Sequence, residues 1–447
     1  MAYSSISGRL PNEKASKLGH LDLVKSEWIK SLIDNFESRN IDENNEKFEI
    51  GWKSYSSKSI PLSRIWSVDG SNVVINVGQH PKKEVAFVKT ALFLVNMSKL
   101  EDIDKSNPHP LHMKALMSDS ALFHSTIFPL NNVKTNIGNN YDTIRHIIFD
   151  SIKFDKDGIY YDTFKWLLYK KWENNENNTS PEFSCPHCGN IVNNGFHYNR
   201  DVMSCINCKE EILLTDVMGF HLDMLEDNAP ENIVSAYMIF LETMMLFTPI
   251  RKLWHFTDKS QVSNFLFIKD GPLSFSSQYS KLVPNIREFF NFTKIHKRPV
   301  HVIGCEKSGK FFNHLMSIEK FISPKKRGDK MTYFVLSHKY IIDEVQRRPK
   351  TNNQYGSRTN WGEKVYVKTD PGNFMVLNIP SGLYNDSDEY PREEDLIGLE
   401  RILKTIPSII SSKYEGALFP VELANGVASL SSYPSSKILE RFVESNL

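Results

Sequence analysis

The apolar and polar positions of the chain follow two periods, one typical of strands and one typical of helices. Apolar residues recur at helical spacing between about Pro11 and Phe36, which predicts a helix that packs or docks. From Arg64 the spacing changes, and IWSVDG, NVVINVG and VAFVKTALFLVN predict three consecutive antiparallel strands with short turns. Farther along, YDTIRHIIFDSI predicts another helix.

The second half of the chain alternates between apolar strands and helical stretches. NFLFIKDG, VHVIGCEK, TYFVLSH and NFMVLNIP predict four strands, with a helix from about Phe311 to Ile322 between the second and the third. Helical spacing also recurs around Leu396 to Ser411 and Ser436 to Glu444. Strands interleaved with helices predict an α/β fold with a mixed sheet flanked by helices.

The longest apolar run, Ile233 to Ile250, predicts a helix that is buried on nearly every side. It contains Glu242 and Pro249 as well as serine and threonine, so it is a poor candidate for a membrane span, and no membrane partner is expected. The N-terminus, MAYSSISGRLPNEKASK, lacks a basic region followed by an apolar one. We therefore expect no secretion signal and a cytoplasmic location.

The composition is typical of a globular protein and does not identify its binding partners. Hydrophobic residues make up 40% of the 447 positions and charged residues 24%, which excludes a fibrous or wholly disordered chain. The 54 lysines and arginines nearly balance 53 acidic residues, giving a net charge of +1. Overall charge therefore does not indicate a nucleic-acid partner, although it is compatible with a local basic groove.

Four of the five cysteines form two pairs with the pattern C-x2-C-x16-C-x2-C. This spacing is typical of a zinc ribbon with four thiolate ligands, here Cys185, Cys188, Cys205 and Cys208. A closed site of four sulphurs leaves no position for a substrate, so the zinc is expected to stabilise the fold. His187 and His197 lie nearby, but the cysteines alone complete the ligand set. Cys305, at the end of a predicted strand, is expected to pack in the core.

Two Asp-Gly pairs follow apolar strands, Asp69-Gly70 in RIWSVDG and Asp270-Gly271 in NFLFIKDG. A strand end holds a carboxylate rigidly, and the glycine lets another backbone or a phosphate approach closely. This arrangement is typical of a metal-dependent phosphodiesterase. Asp-Gly is also the commonest hairpin turn, so either pair alone is compatible with a tight reversal that carries no chemistry.

Glu242 is the only charged residue between Ile233 and Ile250, where an unpaired carboxylate would cost roughly several kcal/mol. One interpretation is a structural salt bridge to a basic residue. The other makes Glu242 the third carboxylate, beside Asp69 and Asp270, around hard metal ions that lower the pKa of an attacking water. Lys307, just past the strand VHVIGCEK, is either a phosphate contact or a solvated loop lysine.

The order of these motifs resembles the NurA nucleases: Asp-Gly-Ser after a strand, Glu in a long apolar helix, Asp-Gly-x-Leu after a strand, then a strand ending near Lys. The resemblance covers about residues 60 to 445. It implies an RNase H-like core, Mn²⁺ (or Mg²⁺)-dependent cleavage of single- or double-stranded DNA, and a homodimer acting with a HerA-like hexameric ATPase in end processing or defence against foreign DNA. Asp69, Glu242 and Asp270 would then be catalytic metal ligands and Lys307 a catalytic phosphate contact.

The resemblance also implies a domain organisation. Residues 1–60 would form an N-terminal helical element, and residues 61–447 a NurA-type nuclease domain with a zinc ribbon inserted at 181–212 after the polar linker ENNENNTS. The ribbon enlarges the spacing between Asp69 and Glu242, a variation associated with bacterial members.

Near the C-terminus the chain departs from the family pattern. Val427 stands where the pattern often has a histidine, and valine neither ligates a metal nor moves a proton. Asn425 is the nearest polar group. It could ligate through its carbonyl oxygen, but it could not act as a general acid. Any role of that histidine is therefore in doubt for this chain.

Two basic runs are candidates for a DNA path, PKKR at 324–327 and RRPK at 347–350. The first is more typical of a solvated surface. The second leads into TNNQYGSRTNWGEK, where aromatic and basic residues interleave as they do in proteins that stack bases and bind phosphates. The candidate DNA-binding residues are Arg347, Arg348, Tyr355, Arg358 and Trp361.

Two other functions fit parts of the sequence. In a non-catalytic DNA-binding adaptor subunit, the ribbon and the basic loops would bind DNA while the acids capped turns. A nuclease acting on RNA would use the same metal chemistry.

Overall fold

The structure is a computed structural model that describes residues 24–34, 51–78, 80–97, 121–133, 135–173, 178–224, 231–256, 258, 260–322, 331–348, 354–369, 372–414, 416–431 and 433–447. The chain divides into two compact units, Met1–Lys47 and Phe48–Leu447. In the first, the described residues form helix α1, Glu27–Asp34, which lies within the helix predicted from about Pro11. The remainder of that predicted helix, like the run PKKR at 324–327, falls outside the described residues. The predicted domain boundaries stay predictions.

A nine-stranded sheet runs through the second unit. The first strands along the chain are β1 Lys53–Ser54, β2 Arg64–Val77, β3 Lys83–Asn96 and β4 Ala121–Asn131. Four short strands form two separate hairpins, β5 Phe183–Ser184 with β6 Ile191–Val192 and β7 Val202–Ser204 with β8 Glu211–Leu213. The large sheet is completed by β9 Phe265–Asp270, β10 His301–Glu306, β11 Met331–Val335, β12 Glu363–Thr369 and β13 Asn373–Ile379.

The spatial order of the sheet is β1-β11-β12-β13-β10-β9-β2-β3-β4. Strands β2, β3 and β4 form an antiparallel meander, β9 runs parallel to β2, and β10 runs parallel to β9. Three antiparallel strands followed by two parallel ones in this order constitute the RNase H-like arrangement. The other strands extend the sheet in antiparallel pairs beyond β10. The predicted α/β fold with a mixed sheet flanked by helices is confirmed.

Helices cover the sheet, and most of them lie where helical spacing predicts them. In chain order they are α2 Asn140–Phe154, α3 Ile159–Leu168, α4 Glu231–Trp254, α5 Val283–Ile295, α6 Lys310–Ile318, α7 His338–Tyr340, α8 Leu399–Thr405, α9 Phe419–Ala428 and α10 Ser435–Asn446. A π-helical segment, Ile341–Gln346, continues α7.

Two hydrophobic cores occupy the two faces of the sheet, because successive residues of a strand point to opposite sides. In the larger core, α2, α3, α4 and α5 pack on the face that carries Val68 and Leu92. In the smaller core, α8 and α9 pack on the face that carries Ile65 and Phe93. Cys305 is fully buried in this second core, as predicted.

Helix α4 is the central helix of the larger core and packs on β2, β3 and α3. By length and composition it would also suit a membrane span, but 83% of its most apolar window is buried inside the protein. The prediction of a buried core helix is therefore confirmed. Its burial fixes the surroundings of Glu242.

The structure corrects one strand prediction. IWSVDG and NVVINVG are parts of a single strand, β2, which pairs with β3 along its whole length, including Asp69 with Ala91 and Gly70 with Thr90. The first Asp-Gly pair therefore lies within a strand and is neither a strand end nor a turn. The second pair follows the prediction, since Asp270 is the last residue of β9.

Candidate active site

Asp69 and Asp270 come together because β2 and β9 are parallel neighbours. Their pairing ends at Val68 and Lys269, so the next residue of each strand lies at the same edge of the shared ladder. Lys307 directly follows β10, the next parallel strand, and its Nζ lies 2.8 Å from Asp270 Oδ2. The topology thus places two carboxylates and an ammonium group at one edge of the parallel strands.

Glu242 approaches the same edge from α4. Its side chain is 4% exposed, and its Oε2 lies 2.6 Å from Nζ of the equally buried Lys269. Its Oε1 lies so close to Gly70 that a Cβ added there would meet this oxygen at 2.7 Å. Burial raises the pKa of Glu242, whereas the charge of Lys269 and its hydrogen bond lower it. The fold therefore provides the salt bridge that the sequence left open, and it also places Glu242 beside the two aspartates.

Asp69 is a carboxylate whose pKa the cluster raises well above its ordinary value. Burial and the neighbouring charges of Asp270 and Glu242 raise its pKa to about 7, against the hydrogen bond from Asn425 and the charge of Lys307. Its oxygens accept hydrogen bonds from the Gly70 amide and from Asn425 Nδ2, both at 2.8 Å. The raised pKa is the electrostatic signature of carboxylates gathered in a desolvated place.

Lys307 carries the partly exposed positive charge of the cluster. Burial favours its neutral amine, but the charge of Asp270 and the hydrogen bond to it outweigh this effect and raise the pKa of Lys307. The side chain is 29% exposed, so its ammonium group remains accessible from solvent. It is therefore charged and able to contact an anion.

The four side chains, Asp69, Glu242, Asp270 and Lys307, line one pocket of about 690 Å³. Its wall also contains the hydroxyl side chains of Ser274, Ser276 and Ser308 and the carboxylate of Glu306. We call this pocket the carboxylate pocket. It combines crowded negative charge with one accessible cation.

The donor set of the carboxylate pocket fits a hard divalent cation. Asp69, Glu242 and Asp270 offer only carboxylate oxygens, which Mg²⁺ and Mn²⁺ prefer. Burial and the charges of Asp270 and Glu242 raise the pKa of Asp69, so a bound cation would stabilise its ionised form. The carboxylates are gathered less tightly than the cysteines described below. Among the described residues, no three of them can each offer one oxygen so that all three oxygens lie within 4.8 Å of one another.

Lys269 was missed by the sequence reasoning, and Asn425 was named there without its contact to Asp69. Lys269 precedes Asp270 in an apolar strand and is the cation that Glu242 requires. A lysine in a run predicted to be buried was the available signal. Asn425, on α9, contacts Asp69 across 356 positions, and no local pattern indicates that contact.

The four predicted zinc ligands come together on the two short hairpins. All four sulphurs lie within 4.8 Å of one another. The Cys185 and Cys208 sulphurs are 3.8 Å apart and those of Cys188 and Cys205 are 3.9 Å apart. A tetrahedral zinc ion with bonds of ~2.3 Å requires sulphurs separated by ~3.8 Å. The four cysteines can therefore hold a zinc ion.

The two Cys-x-x-Cys pairs have the same backbone geometry. In each, the residue after the second cysteine is left-handed, Gly189 with φ 70° and Lys209 with φ 67°, and its amide donates to the carbonyl of the first cysteine at 2.9 Å. His187 Nε2 instead lies 3.0 Å from the Glu211 carbonyl oxygen. The histidines are therefore not needed as ligands, as the sequence analysis expected.

A buried ion pair joins α2 to the turn Leu214–Met218, which directly follows the ribbon. Arg145 Nη2 lies 2.7 Å from Asp216 Oδ2, and each side chain is 3% exposed. The same guanidinium donates to the Glu211 carbonyl at 3.0 Å, and Tyr141 donates to the Pro186 carbonyl at 2.7 Å. The ribbon is thus packed on the domain by side chains next to both knuckles.

The predicted base-stacking aromatics are buried. Tyr355 is 7% exposed and Trp361 3% exposed, and Trp361 stacks on Phe290 at 6.0 Å. Neither ring can stack on a base without leaving the protein interior, so this prediction is wrong. Of the three arginines, Arg347 and Arg358 are exposed and Arg348 is half-buried.

No protein-family model and no curated protein matches this chain. Among solved structures, it is similar to the NurA nuclease from Sulfolobus solfataricus, with 11% identity, 97% of each chain covered and a TM-score of 0.38. It is also similar to a structure of NurA bound to dAMP and manganese, with 13% identity, 96% of this chain and 98% of that chain covered, and a TM-score of 0.30. These structures carry the name of the family that the motif order resembles. At such identities and TM-scores, the activity of this chain has to be inferred from its own residues.

Proposed function

We propose that the chain is a metal-dependent nuclease that hydrolyses phosphodiester bonds in DNA. The observation that carries this proposal is the convergence of Asp69, Glu242 and Asp270, from three separate elements, in one pocket with Lys307. Three carboxylates gathered together, of which Asp69 and Glu242 are buried, are costly for folding. A requirement for cation binding accounts for the arrangement better than turn capping does, since Asp69 lies within a strand.

Asp69, Glu242 and Asp270 would hold Mn²⁺ or Mg²⁺, which when bound lowers the pKa of an attacking water and neutralises the scissile phosphate. Asn425 orients Asp69 through its hydrogen bond. Lys307 exchanges its bond to Asp270 for a phosphate oxygen and so stabilises the charge that develops there. The serine hydroxyls of the carboxylate pocket can donate to the other phosphate oxygens.

The partners follow from the motif order. DNA, single- or double-stranded, would be the substrate, with Arg347, Arg348 and Arg358 as phosphate contacts. A homodimer would work with a HerA-like hexameric ATPase in the cytoplasm, in DNA end processing or defence against foreign DNA. The zinc ribbon would be a structural insertion within a nuclease domain that spans residues 61–447.

The test incubates the purified protein with labelled single- and double-stranded DNA, with and without Mn²⁺. Wild-type protein should degrade DNA only with the metal, and Asp69→Asn and Asp270→Asn should lose cleavage while folding normally by circular dichroism. Asp388→Asn, the same change at an exposed loop residue, is the matched control and should cleave normally. DNA binding without cleavage would instead favour the adaptor, and preferential loss of an RNA substrate would favour a ribonuclease.

A further inference from the structure

Lys269 is a buried lysine placed among the carboxylates of the pocket. It is 2% exposed, and its Nζ lies 2.6 Å from Glu242 Oε2 and 3.0 Å from the carbonyl oxygen of Asp270. One ammonium group therefore joins α4, which carries Glu242, to the end of β9, which carries Asp270. Because it is covered from solvent, it cannot serve as a surface contact for a nucleic-acid backbone.

The ammonium group of Lys269 lies where a metal ion would otherwise bind Glu242. It lines the carboxylate pocket and bonds to one oxygen of Glu242, while the other oxygen of that carboxylate lies beside Gly70. A metal ion that used both Glu242 oxygens would have to displace the ammonium group. Displacement would leave a buried lysine without its carboxylate, which is strongly unfavourable.

Formal charge leads to the same conclusion. Three carboxylates, Lys269 and Lys307 together carry one net negative charge. One divalent ion would make the cluster singly positive, which the negative charge of a phosphodiester neutralises. Two divalent ions would leave three positive charges, and two after the phosphodiester has bound, in a largely buried pocket where unbalanced charge is expensive.

We propose that Lys269 replaces a second metal ion, so that the carboxylate pocket holds a single divalent cation. Lys269 is then a positioning residue: it holds Glu242 against the end of β9 and excludes a second ion. This inference rests on the proposed metal-dependent function. It distinguishes the pocket from sites in which two metal ions lie ~3.5–4 Å apart and share the attacking and leaving oxygens.

The test counts Mn²⁺ ions by titration followed with electron paramagnetic resonance, on full-length protein that retains its zinc. Ions bound in the pocket are those lost in the Asp69→Asn/Asp270→Asn double variant. Wild-type protein should bind one ion there, with the spectrum of an isolated Mn²⁺. Lys269→Gln should bind two, with the splitting of a magnetically coupled pair, because Glu242 is released and one positive charge is removed.

Two variants keep the test independent of folding defects. Lys269→Arg retains the charge and should keep one ion. Lys368→Gln is the matched control, because Lys368 is a buried lysine of β12 that does not line the carboxylate pocket, and it should also keep one ion. Circular dichroism confirms which variants are folded.

The outcomes separate this inference from the proposed function. Two coupled ions in wild-type protein would overturn the role of Lys269 and leave a metal-dependent nuclease intact. A single ion in both wild-type protein and folded Lys269→Gln would show that another group excludes the second ion. Absence of any ion that depends on Asp69 and Asp270 would overturn both the inference and the metal site.

Discussion

Asn425 Nδ2 donates a 2.8 Å hydrogen bond to Asp69 Oδ2 and so connects α9 to the central strand β2. This hydrogen bond is important for Asp69, because the residue is 4% exposed and few other donors lie within hydrogen-bonding distance of its carboxylate. Val427, where the resembled family pattern often has a histidine, lies two positions farther along the same helix. In this chain the polar contact to the central carboxylate is therefore made by an amide that cannot transfer a proton.

Replacing Asn425 by alanine should lower nuclease activity without unfolding the protein. The lost hydrogen bond to a charged group is worth about 1.5–3 kcal/mol, which corresponds to a loss of about tenfold or more in kcat/KM. Steady-state cleavage in Mn²⁺ measures it. Gly426→Ala on the same helix is the control, since its added Cβ meets nothing within 4 Å. Equal cleavage rates for Asn425→Ala and Gly426→Ala would show that Asn425 does not contribute to the site.

Replacing Gly70 and Gly271 by alanine should have different effects, because space limits the side chain at Gly70 and backbone conformation limits it at Gly271. A Cβ at Gly70 would lie 2.7 Å from both Glu242 Oε1 and Met238 Cγ. Gly70→Ala should displace Glu242 and reduce cleavage by up to roughly 100-fold, as misplacements near 1 Å do. At Gly271 the φ is 83° and a Cβ would meet nothing within 4 Å. Gly271→Ala should therefore cost stability, about 1–2 kcal/mol of backbone strain.

Cleavage rates and urea unfolding, measured on both glycine variants, check this pair of expectations. A fully active Gly70→Ala enzyme would contradict the close approach of Glu242.

The four cysteines should bind one zinc ion per chain. Cys188→Ser removes one of the four sulphurs and should lower the zinc content, measured by atomic emission, together with the melting temperature, because metal binding contributes folding free energy. Cys305→Ser is the matched control, since this thiol is buried in the smaller core away from the cluster, and it should keep its zinc. Full zinc content in Cys188→Ser would mean that the metal is held by other ligands.

Breaking the buried ion pair beside the ribbon should be costly. Arg145→Met would leave Asp216 buried without its partner and should reduce the free energy of unfolding by about 3–5 kcal/mol. Arg392→Met breaks an exposed pair with Glu389, whose side chains are 62% and 76% exposed, and should cost less than about 1 kcal/mol. Urea unfolding compares the two variants. Similar losses of unfolding free energy in both variants would show that burial does not make the Arg145–Asp216 pair more important for stability.

Two of the three carboxylates, Glu242 and Asp270, could be predicted from the sequence for sound physical reasons. Glu242 could be singled out because an apolar helix leaves its carboxylate no alternative to a partner, and Asp270 because its strand ends there. Asp69 was found for a partly wrong reason, since β2 continues through it. Its position at the edge of the parallel strands comes from β9, whose pairing with β2 ends at Val68 and Lys269. These two residues are 201 positions apart (269 − 68), and strand pairing at such a separation leaves no local signal.

Two of the elements that were missed, strand β12 and helix α9, were missed for different reasons. Strand β12, EKVYVKT, reads as a polar loop, but Glu363, Lys364 and Lys368 are all buried there, at 4%, 3% and 6% exposure. Lys364 is compensated by Glu306 and Asn378, which come from other strands of the sheet. Hydrophobic periodicity assumes that charged residues face water, so a strand stabilised by buried ion pairs escapes it. Helix α9 was missed although Pro420 stands in its first turn, a recognised start signal.

His301 should make the protein less stable in acid. It is fully buried, and burial together with the nearby Arg401 lowers its pKa to about 4, whereas the unfolded chain has the ordinary value of about 6.5. Below pH 6.5 the unfolded chain therefore takes up a proton that the folded protein refuses. The stability that neutral His301 provides is complete above pH 6.5 and is lost as the pH falls towards 4.

His301→Gln removes this titration. Between pH 7.5 and 5.5 the free energy of unfolding of the wild-type protein should fall by about 1.4 kcal/mol more than that of His301→Gln. Urea unfolding at both pH values measures the difference, and effects of the zinc ribbon cancel because both proteins contain it. Parallel stability curves for the two proteins would show that His301 titrates alike in the folded and unfolded chain, contrary to its burial.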